Sequence, residues 1–276
     1  MKREEYRFKL LEKALNTKHE NSYWNTVFQL RNFVDTEMIE KCFQLIESNE
    51  PKSQILGIDI LSQLGTERKK IIKKLLKIIF DIILRTDNEK LICSCLIAIS
   101  HNNKNLTEKH LIILTSFKKS KSKEIRYALV FSLLSIENKI AIETLILLTK
   151  DRSPKVRDWA TFGIGTQLEI DNPRIREILY VRCFDKDDQT KQEAIKGLSN
   201  RNDERVFEII LEEIKTENFG SLLFDTILNI KNGNLFLPQL RLILSKTLQE
   251  ENINKEWIEA LENCIEVLER DDYEVN

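Results

Sequence analysis

At 276 residues, 42% apolar and 32% charged, the chain is too long for one compact core of ordinary size and too rich in apolar residues to be disordered. Seven Gly and four Pro are too few for the tight turns of a strand-rich domain. The net charge of −1 hides an asymmetry: residues 1–130 hold 24 Lys/Arg against 16 Asp/Glu, and residues 131–276 hold 19 against 28, so the first half is basic and the second acidic.

In chain order, Met1, Lys2, Arg3, Glu4 and Glu5 open on charge with no apolar stretch behind them, unlike a secretory signal. Helical patterns over 6–16, 24–34 and 38–48 form an N-terminal capping region, 1–48. The greasiest stretch, 71–84, is broken by Lys73, Lys74, Lys77 and Asp81, well short of the roughly 18 uninterrupted apolar residues of a membrane span. A cytoplasmic protein without membrane contact is expected. Five cysteines at irregular spacing (Cys42, Cys93, Cys95, Cys183, Cys264) fit a reducing compartment and buried thiols. Cys93 and Cys95 would point about 200° apart on a helix and cannot share a metal ion.

Residues 49–201 carry a tandem repeat. Asp151, Arg157, Ala160, Gly163, Ile164 and Gly165 return in register as Asp185, Lys191, Ala194, Gly197, Leu198 and Ser199. The same frame is found upstream at Ser120, Arg126, Ser132 and Leu133, at Ile92, Ala98 and Ile99, and at Gly57 and Leu64. Each unit divides into two helical patterns. Ser153-Pro154 provides a capping hydroxyl and a proline at the first helical position; Asp171, Asn172 and Pro173 close that helix and open the next. Two antiparallel helices cannot bury both faces alone, so each pair must stack on the next. Patterns over 207–215, 222–230, 237–248 and 257–268 extend the array through a divergent C-terminal region, 202–276, whose acidic tail from Glu269 to Glu274 is expected to fray.

This frame resembles HEAT repeats, in particular the bacterial phycobilisome-lyase-type HEAT-like repeats. The resemblance implies one all-α domain over 1–276, a right-handed α-solenoid (HEAT/armadillo-like superhelix) of about seven to eight stacked helical hairpins. It also implies an acidic–basic ladder between repeats, matched here by Asp151 with Arg157 and Asp185 with Lys191, and in part by Ser120 with Arg126. The helix carrying Val156-Arg157 would line the concave side.

On that side, Tyr127 and Phe131 are four apart on one helix, and Asp158 and Phe162 are four apart on the next. Large side chains there either grip a protein or peptide partner or pack between repeats; the pattern leaves both open. Lys70, Lys73, Lys74 and Lys77, with Arg68 and Lys69, form a basic helix face that is either an anion-binding surface or a solvated one. The alternative is a nucleic-acid-binding, DNA glycosylase-like protein using the basic N-terminal half; the triplet Arg157, Asp158 and Trp159 also suggests it, but lies in the acidic half, which opposes duplex binding. His19, His101 and His110 lack metal-ligand spacing. Asp185, Asp187 and Asp188 lack the glycine and the twelfth-position carboxylate of a calcium loop, and read as helix caps. No phosphate loop or nucleophile elbow occurs. A non-enzymatic scaffold without metal or cofactor is the expectation; the oligomeric state is not legible.

Overall fold

A computed structural model describes residues 3–33, 35–65, 68–216, 219–249 and 254–274. All regular elements among them are helical. The chain divides into two compact units, Met1–Thr144 and Leu145–Asn276.

The first unit contains α1 (Arg3–Asn16), α2 (Glu20–Arg31), α3 (Thr36–Glu47), α4 (Pro51–Leu61), α5 (Arg68–Ile83), α6 (Glu89–Ser100), α7 (Glu108–Thr115), α8 (Lys123–Leu133) and the start of α9 (Lys139–Leu148). Helices α2, α4, α6 and α8 pack in succession as one layer, with α3 on α4, α5 on α4 and α6, and α7 on α8. The second unit holds the end of α9, then α10 (Pro154–Gly165), α11 (Pro173–Arg182), α12 (Asp188–Ser199), α13 (Val206–Lys215), α14 (Leu222–Asn229), α15 (Leu237–Thr247) and α16 (Lys255–Glu274). Here α10, α12, α14 and α16 form the successive layer; α11 packs on α10 and α12, and α13 joins α12 to α15. Each unit is thus the stack of helical hairpins that the repeat demands.

Local chemistry sets the helix starts. Asn88, Ser122, Asn172 and Asp187 accept backbone N–H bonds from Leu91, Ile125, Ile175 and Thr190, at 3.1, 3.2, 3.0 and 3.0 Å. Each occupies one of the otherwise orphaned first-turn donors. Asp187 is therefore a helix cap, as its sequence position implies. Ser153 differs: it is the N-cap residue, but its hydroxyl makes no capping bond. Its own N–H donates to Asp151 Oδ1 at 2.8 Å, and Pro154 pre-sets the first helical φ. Two boundaries also shift. Val34, the expected end of the second helix, lies outside the described residues; α2 ends at Arg31. Helix α16 continues through Glu274, past the start of the tail read as frayed.

Leu56, Ile60, Leu75, Ile79, Leu96 and Ile99 are fully buried in the first unit, and Val156, Ala160, Ile164, Leu179, Ala194 and Leu198 are buried in the second. Burying one such Leu or Ile contributes about 1.5–3 kcal/mol. Small residues let the layer close up. A Cβ added at Gly197 would lie 2.8 Å from Gly165 Cα, and one at Gly57 would lie 2.6 Å from the Cys42 carbonyl oxygen. The backbones of α10 and α12, and of α3 and α4, therefore approach as only glycine permits.

Candidate docking surface

The ladder implied by the repeat is present, with a different connectivity. Arg157 donates from Nη1 to the carbonyl of Asp151 at 3.0 Å, not to its carboxylate. Its Nε and Nη2 grip Asp185 of the next repeat at 2.9 and 2.7 Å. Arg126 repeats the first of these bonds, donating to the carbonyl of Ser120 at 2.7 Å. Lys191 meets Glu213, one repeat on, at 2.8 Å. Arg157 and Lys191 thus tie repeats together, while the Arg126 bond stays within its own repeat.

In the first unit, Tyr127 and Phe131 are half-buried and pair edge-to-face with ring centroids 4.8 Å apart. They are neither core nor free surface. In the same layer lies a polar network that sequence reading missed. Asp59, 6% exposed, accepts from the Tyr23 hydroxyl at 2.7 Å and the Ser94 hydroxyl at 2.6 Å, bridging α2, α4 and α6. Arg31 donates to the Asp59 carbonyl at 2.8 Å and to Gln63 Oε1 at 2.9 Å. Burial pushes the Asp59 carboxyl up to about 6, against the pull of the two hydroxyls and the Arg31 charge. An Asp inside an apolar helical pattern was the one available signal; its partners lie 35 and 36 residues away.

A pH dependence follows. The folded-state pKa lies above the ordinary carboxylate value, so the folded chain holds this proton more tightly than the unfolded one. The Asp59 contribution is present in full below about pH 4 and is lost as pH rises through about 6, a change of about 1–3 kcal/mol. Urea unfolding of wild type and Asp59→Asn at about pH 5 and about pH 8 is expected to show this component in wild type only. Equal pH dependence in both proteins would contradict it.

In the second unit, Asp158 and Phe162 are half-buried on α10. Phe162 pairs edge-to-face with Trp159 at 5.4 Å. Asp158 has no hydrogen bond or ion pair among the described residues. Burial, then the like charges of Glu193 and Asp187, push its carboxyl up to about 6. Glu193 is itself raised, mainly by burial, against Lys196 and a hydrogen bond from Thr166. The structure thus brings Tyr127 together with Phe131, and Asp158 together with Phe162 and Glu193, in separate units. Arg157, neighbour of Asp158 and Trp159, is held in the ladder. A cavity of about 480 Å³ in this unit is lined by Asp188, Gln192, Glu213, Glu256 and Trp257; the Trp257 indole N–H donates to the Phe219 carbonyl at 2.9 Å.

Lys69, Lys70, Lys73, Lys74 and Lys77 are all exposed on α5, with Lys74 Nζ 4.0 Å over the Phe43 ring. The Arg68 side chain lies outside the described residues. Burial pushes the Cys42, Cys183 and Cys264 thiols up to about 12 and Cys93 to about 11, so these remain protonated at neutral pH. Among the described residues no cluster of His, Cys, Asp or Glu has metal-site geometry, and no helix is long and apolar enough to cross a membrane.

No family model matches the chain. Protein YibA of Escherichia coli K12 is 38% identical over 102 residues, 37% of this chain and 35% of that protein. The matched chain therefore spans about a third of the length of the curated relatives. The crystal structure of E. coli YibA superposes over 98% of this chain and 93% of its own, with a TM-score of 0.72 at 22% identity. A structure of Kap95p bound to RanGDP matches 97% of this chain and 39% of its own, with a TM-score of 0.51 at 13% identity. At these identities the structural likeness is one of fold: an all-α solenoid of the armadillo/HEAT-like kind.

Proposed function

We propose that the protein is a cytoplasmic, non-enzymatic helical-repeat scaffold that binds a protein or peptide segment, with Tyr127 and Phe131 on a surface of the first unit and Asp158 and Phe162 on a surface of the second. The observation that carries this reading is the half-buried state of all four residues. Paired rings that keep part of their surface in water in each unit, and in the second unit a partly desolvated carboxylate with no counter-charge among the described residues, suit surfaces completed by a partner. The spacing of Asp151 with Arg157 and Asp185 with Lys191 supports placing these repeats with the bacterial phycobilisome-lyase type. RanGDP, the partner of Kap95p in that structure, is consistent with a protein-binding use of this fold.

The test is affinity capture from the native host, followed by titration of the captured partner against Tyr127→Ala, Phe131→Ala and Phe162→Ala. Aromatic anchors of this kind are worth about 1–2 kcal/mol each, so affinity is expected to fall about five- to thirtyfold per substitution. If all three variants, folded by circular dichroism, keep wild-type affinity, the surface is wrongly assigned.

A further inference from the structure

The lysines of α5 are arranged against the stability of their own helix. Lys69 with Lys73, Lys70 with Lys74, and Lys73 with Lys77 are like-charge pairs at i, i+4, each repulsive by a few tenths of a kcal/mol. The first turn of α5 contains no acidic residue, and cations there oppose the helix dipole. Several surface charges elsewhere do sit in ion pairs: Lys9 with Glu5, Lys215 with Glu212, Arg270 with Glu266 and Arg241 with Glu269. Lys69, Lys73 and Lys77 meet no carboxylate among the described residues. The opposite side of the helix is anchored by buried Leu75, Leu76, Ile79 and Phe80, so the charges stand on a fixed support. An ordinary solvated face would intersperse acids; on the described part of α5 the one acid is Asp81, exposed four residues after Lys77.

We infer that the exposed α5 face is a docking site for the backbone of a nucleic-acid duplex, read without regard to sequence. From Lys69 to Lys77 the helix rises about 12 Å, a length over which one strand of a duplex presents about three to four phosphates. Lysine suits this partner, because an ammonium is a point charge that accepts phosphate in many geometries. The described charged side chains from Lys69 to Lys77 are all lysines, with no Asn or Gln to pair with adenine edges. No exposed aromatic stands on α5 for single-strand stacking. The first unit carries 25 Lys/Arg against 18 Asp/Glu, so its long-range field attracts the same partner. This site is independent of the protein-binding face, and either can fail without the other.

The test is fluorescence anisotropy of the full chain with a labelled duplex of random sequence across a salt series. Binding is expected at low salt, with log K falling against log salt at a slope of about −3. The double variant Lys73→Glu/Lys77→Glu, which exchanges one good helix former for another, is expected to bind at least about tenfold more weakly, with a slope smaller by about two. Lys231→Glu, an exposed charge reversal in the second unit, is expected to bind as wild type. Absence of binding at low salt would overturn the inference, as would wild-type affinity in the double variant. Displacement of the duplex by poly-glutamate at equal charge concentration would also overturn it, by assigning the face to an acidic protein.

Discussion

Replacing Arg201 by methionine is expected to destabilise the second unit by about 3–5 kcal/mol. Arg201 is 8% exposed and forms no side-chain pair with an acid among its hydrogen bonds. Its Nη1 donates to the carbonyls of Gly165 and Gly197 at 2.7 and 2.8 Å. Its Nη2 donates to those of Ile164, Leu168 and Ile170 at 2.9, 2.9 and 3.0 Å. These oxygens belong to the C-terminal ends of α10 and α12 and the loop between α10 and α11. Helix ends leave such carbonyls without partners, and the negative ends of two helix dipoles converge on one cation. Burial pulls the guanidinium pKa down, partly offset by Asp171, but arginine starts so high that the charge persists at neutral pH. Methionine keeps most of the volume and strands the carbonyls. Lysine supplies a charge without the planar fork and is expected to recover only part of the loss. Chemical denaturation, with hydrogen exchange at the amides of α10 and α12, measures both. Wild-type stability in Arg201→Met would show that water replaces the guanidinium at little cost.

Asp185→Ala is expected to cost about 3 kcal/mol. The Asp185 side chain is 4% exposed, between Arg157 at 15% and Arg182 at 20%. It accepts both Arg157 donors, Arg182 Nη1 at 2.8 Å and the Asp187 N–H at 3.0 Å. Removing it leaves two partly buried guanidiniums facing each other and frees the turn that starts α12. Burial by itself would raise the Asp185 pKa; the Arg157 hydrogen bond, the Asp187 amide and the two guanidinium charges outweigh it and hold the carboxyl below its usual range. Its contribution is therefore present above about pH 4 and lost as pH falls below that value, opposite in sign to Asp59. A double-mutant cycle of Asp185→Ala with Arg157→Ala isolates the coupling. Additive losses would mean that the ladder joins the repeats sterically rather than through charge.

Helices and their pairing were readable without coordinates because they depend on local chemistry. Pro154 and Pro173 open α10 and α11, Asn172 and Asp187 cap the following turns, and the apolar period of Val156, Ala160 and Ile164 specifies which side is buried. Tyr127, Phe131, Asp158 and Phe162 were legible as a repeated position, but their half-buried state required the packing of neighbouring helices. The identity of polar partners was not legible. Arg157 passes over the Asp151 carboxylate for Asp185, Asp59 joins side chains more than thirty residues apart, and Arg201, just past the end of α12, closes the ends of two helices. Ser153 carries the residue type of a cap without making the bond.

From its sequence alone the protein is determined as a series of helices with one greasy side each, since residue order along a helix places side chains around its axis by a constant angle. Only the tertiary structure decided which hydrogen-bonding atoms meet. Those encounters depend on the offset between neighbouring helices, which close backbone approach at Gly57, Gly165 and Gly197 helps set and which no period along the chain encodes.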